Sequence, residues 1–449
     1  MSMDLKGKNI AVIGMGRTGI ATAGFLVRRG ARVTLLDQKS ENQLRLKLPN
    51  LDPAVHLVFG TSRPPAGTEV VVLSPGTDIN APFLDEARQR GVEIISEIEL
   101  AFRFNRVPVL AITGTNGKST VTTLVGEILK EAGKQVDVGG NLGTPFIEFI
   151  DGETADYRVL EISSFQLEGV STFHPKVAAI LNLTPDHLDR HRTMAQYGEF
   201  KRKIAANQTQ EDFLVLNLDD PETVKLGRGT RPGKLLFSTR QEVAAGAFLK
   251  GNTLVTRFGG DDRDICTTSD LQPAMRWQVE NVLAALATAC PLGLDAQPIA
   301  RALRNFSGLE HRMEWVRRVR EIDFVNDSKG TNVGSVLKSL SSFDRPVVLI
   351  LGGRDKDGDF SLLGPLFKSK TRFLVLIGEA REKIRKVLNG SPPFVEAETL
   401  EEAVGTAIEH ARPGDVVLLS PACASFDMFQ DYADRGRQFK SIVNRLEES

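Results

Sequence analysis

Residues 111–120 read AITGTNGKST: an apolar strand end runs into a tight turn bracketed by Gly114 and Gly117, with Lys118 and Ser119 directly after it. Backbone amides in such a turn can wrap phosphate oxygens, the lysine adds a point charge, and the serine hydroxyl suits a magnesium ion. The usual spacing, G-x-x-x-x-G-K-[ST], would put glycine at 112, where this chain has Ile112. The next residues, VTTLVGEIL, have helical period, so a bound phosphate would also meet the positive end of a helix. Strand, glycine turn and helix in that order open a parallel α/β unit.

The same rhythm runs outward in both directions. Upstream, NIAVIGMG, RVTLLD, EVVVLSPG and VEIIS alternate with helix-period stretches, and the pattern changes at EIELAFRFNRVP, residues 97–108. Downstream come RVLEIS, VAAILNLT and FLVLNLD, closed by the helical ENVLAALATAC and the loop NFSGLEHR. A third series follows: DFVNDS, PVVLILGG, FLVLIG and DVVLLSPA. Strands covered by helices on both faces read as continuous apolar runs of this kind. The expected fold is therefore α/β with three domains. Residues 1–97 form a Rossmann-like domain, 98–308 a central P-loop-type ATPase domain with a mostly parallel sheet, and 309–449 a second Rossmann-like domain. The chain's 449 residues agree with about three domains at roughly 150 residues each.

Composition excludes several classes. With 56 basic against 57 acidic side chains the net charge is −1, which leaves no electrostatic footprint for nucleic acid or an anionic membrane. Cys266, Cys290 and Cys423 form no C-x-x-C pair and read as reduced thiols. The opening MSMDLKGKNIAVIG carries too short an apolar run for a signal peptide, and no apolar stretch reaches about 18 residues. The expectation is a soluble, cytoplasmic monomer acting on small molecules, with neither nucleic acid nor membrane as partner.

A second glycine signature, GMGRTG, places Gly14, Gly16 and Gly19 between a strand and a helix, and Asp37 ends the next strand. That is the dinucleotide fingerprint, in which glycines admit a pyrophosphate to the helix N-terminus. It fits NAD or FAD, another diphosphate, or a purely structural turn. Glu161 ends an apolar strand, where a carboxylate either caps, pairs with a side chain or meets a metal cation. His187 and His191 in TPDHLDRH lie four apart and read as surface histidines or as ligands. Lys201 in FKRKIAAN reads as part of a solvated basic helix face, Cys423 as a buried structural thiol, and the charges of GGRDKDGDF as a solvated loop.

The combination is more specific. GTNGKST, EISSFQLE, NLTPDHLDRH, YGEFK, EHRMEWV, NDSKGTNVGS and SPACASFDMF together resemble the Mur ligase family of ATP-dependent amide-forming enzymes across nearly the whole chain. The resemblance implies that the first turn holds the diphosphate of a UDP-sugar substrate and the second holds ATP. It implies addition of D-glutamate to UDP-N-acetylmuramoyl-L-alanine through an acyl phosphate, in peptidoglycan precursor synthesis. For the uridine substrate the matching positions are Arg17, Thr18, Asp37, Gln38, Gly76, Asn141 and Gln166. For ATP they are Gly114, Thr115, Asn116, Gly117, Lys118, Ser119 and Thr120, with Asn281, Arg312 and Asp327. For the amino acid they are Lys329, Thr331, Lys356, Ser425 and Tyr432. Two magnesium ions are implied, one shared by Ser119 and Glu161, the other held by His187 and a carbamate on Lys201; Lys118, Glu161, His187 and Lys201 make the catalytic set. Three positions depart from the family pattern. Trp277 and Gln278 replace a common His-Asn, Gly330 replaces alanine in a change expected to be silent, and Tyr432 stands where phenylalanine is frequent.

Overall fold

The computed structural model describes residues 3–44, 48, 51–152, 155–186, 188–388 and 392–447. Its strands fall into three sheets. The first runs His56–Phe59, Arg32–Asp37, Asn9–Ile13, Val70–Leu73, Glu93–Ser96, all parallel. Counting strands along the chain, that is the order 3-2-1-4-5, the doubly wound arrangement in which ligands gather beyond the strands' carboxyl ends.

The central sheet runs Asp261–Thr267, Thr253–Phe258, Gly246–Lys250, Gly233–Ser238, Phe213–Asn217, Val177–Ile180, Val109–Thr113, Tyr157–Glu161, Val136–Gly140. It is parallel except for an antiparallel ribbon at one edge. The sequence reading missed that ribbon. Its hairpin turn is Gly259–Gly260, both at positive φ, a pairing whose twist suits two-residue hairpins. The exposed charges of Asp261–Asp264 keep the edge strand from pairing with other chains.

The third sheet runs Glu314–Val319, Ile322–Asn326, Val416–Leu419, Val347–Gly352, Thr371–Ile377, Phe394–Glu396, with only the first strand antiparallel. Along Val347–Gly352, Val347, Leu349 and Leu351 pack into one apolar cluster while Val348 and Ile350 pack into another. Both faces are covered, which is why PVVLILGG reads as an unbroken apolar run.

The chain divides into two compact units. One carries the first two sheets with Glu280–Ala302; the other carries the third sheet with Thr184–Asp186, Thr268–Val279 and the chain from Leu303 onward. In the first unit a single core spans both sheets, joining Val12 and Phe25 to Ile98, Phe146 and Leu160. The segment read as a change of pattern is the helix Glu97–Phe104, capped by the Ser96 hydroxyl. The Glu99 carboxylate accepts from the backbone amides of Ser171, Thr172 and Phe173 at 2.9–3.1 Å and from Arg103 Nε at 3.0 Å. One buried carboxylate thus fastens the end of the first sheet to the second. No helix is long and apolar enough to cross a membrane among the described residues.

Candidate functional site

The strand Val109–Thr113 is buried throughout and ends at the turn that opens the helix Lys118–Glu131. Ile112 lies inside this strand, paired with Glu161 and Ala179, so the turn begins two residues later than in the longer motif. Its two glycines are obligatory for different reasons. Gly117 sits at φ +84°, and a Cβ there would lie 2.4 Å from Asn281 Oδ1. Gly114, at φ +154°, would bring a Cβ to 2.9 Å from Leu181. Gly117 also caps the helix with no side-chain bond, leaving the first-turn amides directed at the mouth of the turn.

Asn182, which the sequence reading quoted without a role, clamps the turn. Its Oδ1 accepts from Asn116 N at 2.8 Å, its Nδ2 donates to Asn116 O at 3.0 Å, and its carbonyl accepts from Thr115 N at 3.1 Å. Lys118 Nζ folds over the turn onto Gly114 O at 2.9 Å and Thr115 O at 2.7 Å. Thr120 is buried one residue beyond Ser119.

Glu161 is neither a cap nor a surface ion pair: it is 3% exposed and accepts from Ser119 Oγ at 2.5 Å and Asn141 Nδ2 at 2.7 Å. A hydroxyl and a carboxylate side by side are hard oxygen donors, the kind magnesium takes when phosphate and water complete its shell. Asn141 is held in place by its own amide, bonded to Glu161 O at 2.8 Å.

Lys201 overturns the solvated-face reading. It is 1% exposed on the helix Met194–Arg202, donates to Gly114 O at 2.8 Å, and lies 4.5 Å over the ring of Tyr197. Tyr197, also unassigned from sequence, reaches Thr115 Oγ1 with its hydroxyl at 3.3 Å. Two lysine ammoniums therefore converge on the one carbonyl of Gly114. His191 is likewise buried, not superficial: Nε2 lies 2.9 Å from Ser164 Oγ, and the ring stacks between Phe165 and Tyr197. His187 lies outside the described residues.

At the first glycine turn, Gly14 sits at φ +102°, and Gly19 must lack a side chain because a Cβ would fall 1.8 Å from Gly14 O. Gly16 and Gly76, by contrast, face open space. Asp37 spends its carboxylate on the turn, accepting from Met15 N and Lys39 N at 2.9 Å each. Arg17 and Thr18 begin the helix Arg17–Arg28, and Gln38 is exposed next to Asp37. A cleft of about 900 Å³ opens here, lined by Met15, Gly16, Arg17, Ile20, Leu51 and Glu148 among others. Gln166 is buried and closes a capping box with Ser163, accepting from its backbone amide at 2.9 Å.

In the second unit, Asp327 follows the strand Ile322–Asn326 and accepts from Ser339 Oγ at 2.6 Å and Ser420 Oγ at 2.8 Å. Burial, only partly offset by these bonds, pushes it up to about 6. Arg312 is close enough to favour its ionised form. Lys329 Nζ lies 3.7 Å over the Tyr432 ring, so two residues assigned to the amino acid are in contact. Thr331 N donates back to Lys329 O at 2.8 Å, Ser425 is buried, and Lys356 is exposed beside Asp357, which has φ +60°. His311, Met313 and Ala422 also hold positive φ, a concentration of strain typical of functional loops.

Three further expectations meet the structure here. Gly330 is not a silent position: a Cβ would sit 2.7 Å from Asp327 Oδ2 and 2.8 Å from Ser420 Oγ. Trp277 meets Phe343 in a tilted ring contact at 5.1 Å and belongs to the second unit, whereas Asn281 belongs to the first. Cys423 is fully buried and its thiol is pushed up to about 12, as an inert structural cysteine requires.

Comparison with known proteins gives a consistent result. The family models described as Mur ligase MurD-like, N-terminal domain, Mur ligase middle domain, and Mur ligase, glutamate ligase domain match residues 8–96, 112–289 and 311–423. The chain is 44% identical to UDP-N-acetylmuramoylalanine–D-glutamate ligase of Geotalea daltonii, with 99% of each chain covered. It is 43% identical to the protein of that name in Koribacter versatilis, again over 99% of each. Among solved structures it is similar to a pseudomurein peptide ligase type C from Methanothermus fervidus, with TM-score 0.60, 18% identity, and 98% and 100% of the two chains covered. It is also similar to MurF ligase from Thermotoga maritima in complex with ADP, with TM-score 0.59, 16% identity, and 99% and 100% covered. At those identities the solved structures speak for the fold alone.

Proposed function

The chain belongs to the Mur ligase family, and from that premise we infer that it is an ATP-dependent ligase joining D-glutamate to UDP-N-acetylmuramoyl-L-alanine, with release of ADP and phosphate. The observation that carries this reading is full-length likeness, at 44% identity, to a ligase of that activity. It acts in peptidoglycan synthesis, and we place it in the cytoplasm as a monomer. The domain limits we propose are 1–97, 98–308 and 309–449.

A free carboxylate is a poor acceptor for an amine because an oxide would have to leave. In the proposed reaction the alanyl carboxylate attacks the terminal phosphorus of ATP, giving an acyl phosphate and ADP. The glutamate amine then attacks the acyl carbon, and phosphate departs with the former carboxylate oxygen. The protein's part is positioning and charge neutralisation. The 114–117 turn and the first turn of the helix after it cradle the phosphates, and Lys118 exchanges its two carbonyl partners for phosphate oxygens. Asn182 keeps the turn in shape while this happens.

Magnesium, when bound, would supply positive charge against the triphosphate. Ser119 and Glu161 have the oxygen donors to hold one ion. A second ion would need His187 and Lys201. As an ammonium Lys201 donates and cannot ligate, so it would serve only after its free amine has added carbon dioxide as a carbamate. In the second unit Lys329 and Lys356, with Thr331, Ser425 and Tyr432, would hold the dicarboxylic amino acid; Arg312 and Asp327 of that unit, and Asn281 of the first, would contact the nucleotide. Arg17, Thr18, Asp37, Gln38, Gly76, Asn141 and Gln166 would contact the uridine substrate.

Phosphate release with UDP-N-acetylmuramoyl-L-alanine across a panel of D- and L-amino acids tests the reading. Release with D-glutamate and little with the rest is expected; equal release with L-lysine or a D-alanine dipeptide would assign the chain to a different addition.

A further inference from the structure

Arg435 heads the fully buried side chains by volume, at 0% exposure, yet none of the roles above uses it. It lies on the helix Tyr432–Asn444, one turn from the tyrosine that covers Lys329. Its Nε donates to Ser328 Oγ at 2.9 Å, and its Nη2 donates to Ser328 O at 2.9 Å and Cys423 O at 3.2 Å. Ser328 Oγ in turn donates to Tyr432 O at 2.7 Å. One guanidinium therefore ties together three pieces of the amino-acid subsite: the turn bearing Lys329 and Thr331, the turn bearing Ser425, and the start of the helix bearing Tyr432.

Two features make this more than packing. All three acceptors are neutral, so among the described residues the guanidinium is hydrogen-bonded to no carboxylate, and only the more distant charges of Asp427 and Asp327 offset its burial. Moreover Nη1 is buried without a hydrogen-bond partner, although a Met or Leu would fill the space without leaving a donor unsatisfied. Gly353, at φ +131°, lies against the group: a Cβ there would fall 2.4 Å from Ala424 O and 3.3 Å from Nη1. Burial lowers the group only to about 10, so the charge persists across the working range.

We propose that Arg435 is a positioning residue for the incoming dicarboxylic amino acid, fixing the turns that carry Lys329, Thr331 and Ser425 and biasing them electrostatically toward an anion. The inference rests on the assignment of those turns to D-glutamate. It makes Arg435 a determinant of amino-acid affinity, whereas the 114–117 turn and Lys118, proposed to cradle the phosphates, lie in the other unit.

The test is steady-state kinetics of the full chain for Arg435→Lys and Arg435→Met, with Arg437→Met, on the exposed side of the same helix, as control. Arg435→Met should raise KM for D-glutamate by about tenfold or more, with KM for ATP and for the uridine substrate within about twofold. Arg435→Lys, which keeps the charge but loses the fork, should fall between Met and wild type. Arg437→Met should leave all three constants unchanged. If Arg435→Met does not fold, Arg435→Lys alone decides, through the same split between KM values. Equal changes in all three constants, or a loss of thermal stability with normal KM for D-glutamate in the folded fraction, would overturn the proposal. Wild-type protein that does not turn over D-glutamate at all would instead remove the assignment beneath it.

Discussion

Two glycine turns, 14–19 and 114–119, share one backbone plan: a buried parallel strand, positive-φ glycine, and a helix capped by a glycine with no side-chain bond. They differ in what surrounds them. The first has Gly16 facing open space and a cleft of about 900 Å³, and its nearby carboxylate, Asp37, is spent on the turn's own amide. The second is crowded by Asn281 and Leu181, clamped by Asn182, and supplied with two lysines and a buried glutamate–serine pair. A diphosphate that only anchors a substrate needs backbone donors and room. A triphosphate that must transfer a group needs mobile positive charge and hard oxygens packed around it. The plan is shared, although Gly16 caps its helix in extended backbone and Gly117 in the left-handed region, and in the proposed function the inventory of charge around each turn separates holding from reacting.

Replacing the charge at the second turn should break that contrast most severely. Lys118→Ala is expected to lower kcat by about a thousandfold or more, because the ammonium that now donates to the carbonyls of Gly114 and Thr115 is the charge proposed to meet the transferred phosphate. A loss confined to KM would mean that the lysine merely binds ATP. Lys201→Ala should come next, with turnover nearly abolished and partly restored by short carboxylic acids that can reach the vacated space. Normal activity in that variant, or absence of any rescue, would leave Lys201 as a strut for Gly114 O alone.

The glycines sharpen the comparison on a smaller scale. Gly117→Ala, at positive φ and 2.4 Å from Asn281, should cost about 2 kcal/mol of stability and raise KM for ATP. Gly16→Ala, whose Cβ meets no atom within 4 Å, should leave stability and kcat alone and raise KM for the uridine substrate severalfold. Thermal unfolding and kinetics on the two variants side by side decide this. If both behave alike, the open and crowded turns are not functionally distinct.

The smallest effect concerns Glu97, buried beside the first turn's cleft residue Glu148 and pushed up to about 7 by burial. Its folded-state pKa lies above the ordinary 4.5, so the native state holds the proton more tightly. That stabilising contribution is complete below about pH 4.5 and is lost as pH rises through about 7. Glu97→Gln should therefore flatten the decline in the unfolding midpoint between about pH 5 and 8. Parallel pH profiles for the two proteins would show that Glu97 is not the group responsible.

Much of this was legible in the sequence because it is local. Aliphatic runs such as PVVLILGG mark doubly covered strands, and glycine turns between strand and helix mark phosphate sites at any distance from the rest of the chain. What was not legible depends on neighbours distant in sequence. Lys201 looks like a solvated lysine among basic residues, and only the packing of its helix against the turn at Gly114, with the ring of Tyr197 from the same helix beside the ammonium, buries it. Asn182 opens the stretch NLTPDHLDRH without a role that its type or spacing reveals, and Arg435 lies in no motif; the roles of both come from backbone atoms distant in sequence. Gly330 passed as a harmless glycine because the oxygens of Asp327 and Ser420 that crowd it are brought there by the third sheet. The edge ribbon from Gly246 to Thr267 escaped because its apolar runs, AFL, LV and IC, are short and sit beside polar and charged residues, without the aliphatic density of the buried strands.

The central claim is that the second turn exists to move a phosphoryl group onto the carboxylate of the uridine-linked acid. Single turnover with that carboxylate labelled with ¹⁸O, followed by mass analysis of the released phosphate, tests it directly. One labelled oxygen in the phosphate, dependent on D-glutamate for release, is the predicted result. Label retained wholly in the amide and unreacted acid, with unlabelled phosphate, would contradict it.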